Sequence, residues 1–388
     1  ANKLLLTATI IVPIVALLYF KYLGFILTDV FHIESGSSQT RFDLFSNIVL
    51  PAGISFFTFQ LIAYTIDKFR GNITDTPTFL SFALYISFFP QLIAGPIIRF
   101  NEIKETLFNI TSIKFTSADT SSAIGHIVVG LALKVLIADT LFEALKPLID
   151  EQNSVTPIGM LYVIFAYSFQ IYFDFFGYSL IAIGLGRLFG FTFPINFFRP
   201  YSAPNPREFW RRWHTTLSYW IRDYLYIPLG GNKHYTRNIL VIFIVMGIWH
   251  GAGWNFVMWG VFHGLLVILY NQTRNLWDNL PVVVQVSTNF LLVSVAWLFF
   301  LFDFGELQDF FSKISVNPNI NQVHPSMFGW VVLVVAAIVC FGIRLESTTI
   351  NNSPSMTINV IRNFFLGLLL VGCLALIDRS QTFIYFRF

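Results

Sequence analysis

Two histidines set in apolar sequence are the residues here with the clearest capacity for chemistry. His250 lies in Gly247-Ile248-Trp249-His250-Gly251-Ala252-Gly253-Trp254-Asn255, within a stretch from Ile239 to Tyr270 of 32 residues without one Asp, Glu, Lys or Arg. An ionisable ring at membrane depth is costly and is a functional hypothesis by default, and glycines beside it let a substrate approach the backbone closely. A neutral imidazole can take a proton from a hydroxyl or thiol, which is the step acyl transfer needs. The competing reading is a structural histidine bonded to a neighbouring helix. His214 lies in Phe209-Trp210-Arg211-Arg212-Trp213-His214-Thr215-Thr216-Leu217-Ser218-Tyr219-Trp220-Ile221-Arg222. By residue type alone, a histidine on an apolar face is more often a hydrogen-bonded core residue than a catalyst.

Arg207, Arg211, Arg212, Arg222, Lys233 and Arg237 put six of the 24 basic residues into 31 positions. By the positive-inside tendency this loop faces the cytoplasm, where it could meet an anionic ligand such as the phosphates of a nucleotide-like cofactor. From charge alone, fixing topology and holding lipid headgroups is the weightier role. His263 reads as structural, and His32, His126, His234 and His324 support no special case. Cys340 and Cys373 sit in apolar runs and read as packing. The sequence has no zinc-spaced Cys/His set, Gly-rich phosphate loop or G-x-S-x-G elbow, so no metal site is expected.

Lipid-embedded helices must position these residues. Of 388 residues 55% are hydrophobic, 12% are charged and 45 are Phe, more apolar surface than a soluble domain can hide. A net charge of +3 excludes nucleic-acid binding by general electrostatics. Apolar runs from Leu4 to Leu376 predict one all-α polytopic membrane unit over 1–388, with roughly nine to eleven membrane segments and no soluble domain. Leu4–Leu27 and Asn47–Ile66 read as full helices. Phe79–Ile98, with Pro90, Gly95 and Pro96, reads as broken or re-entrant and shielded by protein. Ile124–Leu145 follows, then Ile158–Phe173 and Tyr178–Phe191, joined by Asp174-Phe175-Phe176-Gly177, with Arg187 as the nearest partner for Asp174. Gly251 and Gly253 break the uncharged stretch around His250. Val282–Phe302, Phe328–Ile343 and Ile361–Ile377 are ordinary helices, and Arg344–Thr357 is an aqueous loop. In the His214 segment a period of 3.6 places Trp210, His214, Leu217 and Ile221 on one face and Arg211, Thr215, Ser218 and Arg222 on a polar one. It predicts a short amphipathic helix with His214 pointing to the membrane interior.

The stretches Leu50–Gln60, Phe88–Arg99, Tyr172–Ser179, Glu208–Gly231, Trp249–Ala252 and Phe383–Phe388 resemble the membrane-bound O-acyltransferase (MBOAT) family, in its bacterial alginate O-acetyltransferase-like branch. The resemblance runs through almost the whole chain. It implies broken or re-entrant helices around a central funnel, with His250 as the catalytic histidine and His214 as the second active-site polar residue. Family members usually carry further N-terminal helices, and the chain, which starts at Ala1 without an initiator Met, is expected to lack them.

The resemblance further implies a multi-pass protein of the bacterial inner membrane that takes acetyl from cytoplasmic acetyl-CoA for O-acetylation of an envelope polysaccharide. Alginate, peptidoglycan, cellulose or another exopolysaccharide would each fit, and an extracytoplasmic SGNH-type partner would complete transfer. Arg211, Arg212 and Arg222 are the candidates for the CoA phosphates, membrane lipids surround the chain, and no metal takes part. Three other readings stay open: D-alanyl transfer toward teichoic acid from a carrier-protein thioester, a transporter of envelope precursors in which neither histidine does chemistry, and a non-catalytic membrane scaffold for a partner acyltransferase.

Overall fold

The computed structural model describes residues 3–32, 50–92, 95–150, 154–314, 322–344 and 356–383. Residues 47–49 of the second expected helix, most of the expected Arg344–Thr357 loop and the end of the Phe383–Phe388 block lie outside them. Among the described residues six helices are long and apolar enough to cross a membrane. They are α1 (Lys3–Val30), α3 (Ser117–Ile149), α4 (Pro157–Leu188), α8 (Trp254–Trp277), α9 (Val282–Leu301) and α11 (Thr357–Leu376). Shorter helices complete the fold: α2 (Ile54–Arg70), α5 (Pro206–Arg212), α6 (Thr215–Ile221), α7 (Tyr235–His250) and the apolar α10 (Met327–Gly342).

Two of the expected segments are one. Ile158–Phe173 and Tyr178–Phe191 belong to the single 32-residue α4, which begins with Thr156 as its N-cap and Pro157 in the first turn and stays helical through Asp174 and Gly177. Gly177 serves here as a contact point. A Cβ there would stand 2.6 Å from the carbonyl oxygen of Gly130 on α3, and one on Gly130 would stand 2.5 Å from that of Gly177. The two backbones touch, as small residues permit in membrane helix pairs.

Beside this contact lies a buried charge cluster. Asp174 pairs with Lys134 of α3 at 2.9 Å, not with Arg187, and Lys134 also pairs with Asp139. Arg187 instead donates to Ser122 Oγ at 2.6 Å. The helix explains the difference: 13 residues separate Asp174 from Arg187, nearly 20 Å along an α-helix at about 1.5 Å per residue. The antiparallel neighbour brings Lys134 to the same level.

The stretch from Phe79 is broken as expected, into the helices Phe79–Ser87 and Phe89–Leu92 and a non-helical run from Gly95 to Arg99. Protein groups satisfy its freed backbone: Tyr85 Oη donates to Ile98 O (3.0 Å), Gln91 Nε2 to Tyr85 O (2.5 Å), and Ile97 N to Thr216 Oγ1 (3.0 Å). The break at Gly251–Gly253 is also present, and it turns α7 into α8. These two helices touch through glycine, since a Cβ on Gly260 would sit 2.3 Å from Phe243 O.

The charge cluster generates the first prediction. Lys134→Met leaves Asp139 and Asp174 buried without their cation, which costs about 3–5 kcal/mol. The thermal midpoint of the purified protein in detergent should fall by several degrees or the protein should fail to accumulate. An unchanged midpoint would show that the cluster does not hold α3 to α4.

Candidate functional site

The segment expected as one amphipathic helix is two. α5 ends at Arg212, Trp213 is extended, and His214 adopts a left-handed conformation (φ 44°, ψ 55°) before α6 begins at Thr215. Hydrogen bonding to residues 195–198 accounts for the break. Thr215 N donates to Asn196 O at 3.0 Å, Thr215 Oγ1 to Ile195 O at 2.7 Å, Thr216 Oγ1 to Asn196 Oδ1 at 2.7 Å, and Phe198 N to Arg212 O at 2.9 Å. His214 therefore shares no helical stripe with Trp210 and Leu217. It is fully buried, its ring edge-to-face with Phe175 at 4.8 Å, and neither ring nitrogen has a hydrogen-bond partner among the described residues.

His250 occupies the last position of α7 and is 4% exposed. Both histidines adjoin the Trp249 indole, at centroid distances of 6.4 Å for His214 and 4.9 Å for His250. Trp259 and Phe300 flank His250 at 5.0 and 5.2 Å. The structure thus brings together two residues 36 positions apart in the sequence, inside an aromatic wall. His263 belongs to the same wall, 4.9 Å from Trp259 and 5.0 Å from Trp210, and its ring nitrogens also find no partner among the described residues. Edge-on indole rings, rather than the hydrogen bonds of an ordinary core histidine, surround it.

A cavity of about 450 Å³ runs between the α5–α6 segment and α7. Its lining includes the polar Arg207, Arg211 and Arg222 and the apolar Trp210, Phe243 and Met246. Tyr235, Ile239, Ile242, Phe243 and Met246 form one face of α7, and His250 lies four residues past Met246 on that same face. The cavity therefore follows the side of the helix that ends in the imidazole.

Of the three arginines expected to meet a cofactor, Arg211 and Arg222 line this cavity. Arg212 does not, because its guanidinium donates to Ser202 O at 3.3 Å. Arg211 and Arg222 are already matched with Glu208 and Asp223, each at 2.6 Å. Burial works against the charge of Asp223, yet hydrogen bonds from Arg222 and Arg99 hold its carboxyl below the ordinary range. Arg207, which the sequence reading passed over, lines the cavity and pairs with no carboxylate among the described residues. Its place in the same basic run was the available signal. Arg99 pairs with Asp223 at 2.8 Å and lies over the Tyr224 ring.

Residues 68–303 match the model of the family described as MBOAT, membrane-bound O-acyltransferase family. Over 331 residues the chain is 36% identical to a peptidoglycan O-acetyltransferase of Helicobacter pylori, covering 77% of this chain and 62% of that protein. Over 302 residues it is 38% identical to a probable alginate O-acetylase AlgI of Pseudomonas aeruginosa, covering 75% and 56%. A teichoic acid D-alanyltransferase of Streptococcus thermophilus is 31% identical over 232 residues, covering 56% of each chain. The chain thus spans less than two thirds of the length of these relatives.

The left-handed backbone at His214 gives a prediction independent of activity. His214→Ala and His214→Gly empty the same space beside Phe175, but only alanine meets the Cβ clash of a left-handed residue. The glycine variant should be the more stable by about 1 kcal/mol, after allowance for the greater freedom of glycine in the unfolded chain. Thermal midpoints of the two variants decide it, and an alanine variant as stable as the glycine variant would remove the strain.

Proposed function

The chain belongs to the membrane-bound O-acyltransferase family, and we propose that it passes acetyl from acetyl-CoA to a hydroxyl acceptor for O-acetylation of a cell-envelope polysaccharide. The supporting observation is the cavity along α7, which has arginines at one end and reaches Met246 at the other, one helical turn short of His250 on the same face. Arg207, Arg211 and Arg222 receive the anionic groups of CoA, and the apolar floor of Trp210, Phe243 and Met246 takes the uncharged arm toward the imidazole.

In this reading His250 accepts the proton of the acceptor hydroxyl as its oxygen attacks the thioester carbonyl. The C–S bond breaks as the C–O ester bond forms, and the departing sulfur takes the proton to leave as free CoA. His214 orients the acceptor or donates to the carbonyl oxygen as negative charge develops there. The same scheme sets the protein in the bacterial inner membrane with the arginine end toward the cytoplasm, and an SGNH-type extracytoplasmic partner carries acetyl to the polymer. The relatives named for alginate and peptidoglycan acetylation support a polysaccharide acceptor. The unmatched charge of Arg207 favours a phosphate-bearing donor over a carrier-protein thioester.

Inside-out vesicles from cells making the full-length protein, supplied with acetyl-CoA, test the reading through release of free CoA. His250→Ala should lose about 10²–10⁴-fold in rate at matched protein level. Arg207→Ala should raise KM for acetyl-CoA about tenfold or more with kcat kept, as expected for one lost charge-assisted hydrogen bond. Arg212→Ala should change neither. Undiminished release by His250→Ala would remove it as the base, and release only from a carrier-protein thioester would move the donor to that class.

A further inference from the structure

We propose that Lys21 is a positioning residue for His250, its ammonium closing the end of α7 on which the imidazole stands. The inference rests on His250 acting as proposed above.

The last carbonyls of a helix have no amide partners within it, and in a membrane no water stands in for them. α7 stops at His250 because Gly251 is extended (φ −158°, ψ 154°). Two neighbouring residues of α1 meet the three carbonyls of that last turn. Tyr22 Oη donates to Ile248 O at 2.8 Å, and Lys21 Nζ donates to Trp249 O at 2.7 Å and to His250 O at 3.0 Å. A cation at a helix C-terminus also interacts favourably with the helix dipole. Both bonds from Lys21 span more than 220 positions, so α1 reaches the site from the far end of the sequence.

Three further observations set Lys21 apart from an ordinary lysine at a membrane boundary. It is the one charged residue between Leu4 and Ile26, and intramembrane charges are kept for what they hold. It pairs with no carboxylate among the described residues, so its charge is committed to the end of α7. Lys21 and Tyr22 also lie in a π-helical turn, Leu18–Tyr22, and such turns concentrate at functional sites. α1 is otherwise largely exposed to lipid, while Tyr22 is 5% exposed against Leu17 and Ile54.

The vesicle assay tests this with Lys21→Met, Lys21→Arg, Tyr22→Phe and His250→Ala at matched protein level. Loss of the ammonium frees the last turn of α7 and shifts the imidazole, so Lys21→Met should lower kcat about 10–100-fold while KM for acetyl-CoA stays within about twofold. Lys21→Arg keeps the cation and its donors and should recover most of that loss. Tyr22→Phe should lose less, about threefold to tenfold. Should Lys21→Met fail to accumulate, Lys21→Gln, which keeps a donor without the charge, is read by the same criteria. Wild-type kcat in the Lys21 variant beside an inactive His250→Ala would overturn this proposal alone, as would a rise in KM at unchanged kcat. An active His250→Ala would instead overturn the reading on which it rests.

Discussion

A backbone amide or carbonyl that leaves its helix at membrane depth has no water to turn to, and each such group left unmet costs several kcal/mol. This chain interrupts its helices between Phe88 and Arg99, at Trp213–His214, and at Gly251–Gly253, the last two beside the candidate histidines. Each interruption therefore needs a dedicated partner. Thr216 and Asn196 bind the first and second interruptions to one another, since Thr216 Oγ1 accepts from Ile97 N and donates to Asn196 Oδ1. Lys21 and Tyr22 close the third. Satisfying the broken backbone and placing the two histidines are thus one requirement met by one set of side chains.

Aromatic rings provide the rigidity that these few polar contacts need. Trp213 packs between Phe197, Phe209 and Trp297, and Trp249 stacks on Phe59 at 5.1 Å, which in turn stacks on Trp220 at 3.9 Å. Trp220 and Trp249 donate their indole N–H groups to the backbone of α2, at Phe59 O and Ser55 O. A ring anchored by both stacking and a hydrogen bond leaves the imidazole beside it few alternative positions. The abundance of Phe and Trp that first marks the chain as a membrane protein also forms the wall of its polar site.

Local features of the sequence were legible where composition alone decides them. A 32-residue stretch without charge, interrupted by glycines beside a histidine, is two helices with that histidine at their junction, and paired prolines are a broken helix. The errors arose where a distant segment overrides local periodicity. Trp210, His214, Leu217 and Ile221 do recur at helical spacing, but residues 195–198 capture the backbone at Arg212, Thr215 and Thr216 and divide the helix. Asp174 looks toward Arg187 in sequence, yet a straight helix separates them and the adjacent α3 supplies Lys134. Arg207 and Arg212 are equivalent by charge, and only the direction of the cavity distinguishes them. Lys21 was visible as a lone charge in an apolar helix, but nothing local indicates that its partners are carbonyls on α7.

The length of α7 gives these parts a common purpose. Tyr235 at the arginine end and His250 at the other are 15 residues apart, roughly 22 Å along the helix, against a hydrocarbon core of about 30 Å. On the proposed reading, a donor whose charged groups stay with Arg207 and its neighbours extends an uncharged arm along one helix face toward the imidazole. On the same reading the highly charged part of the donor stays outside the apolar region, and the thioester meets the imidazole among buried rings. On that reading, a helix of this length, ending in an imidazole and held at that end by a lysine, separates where the donor is recognised from where it reacts.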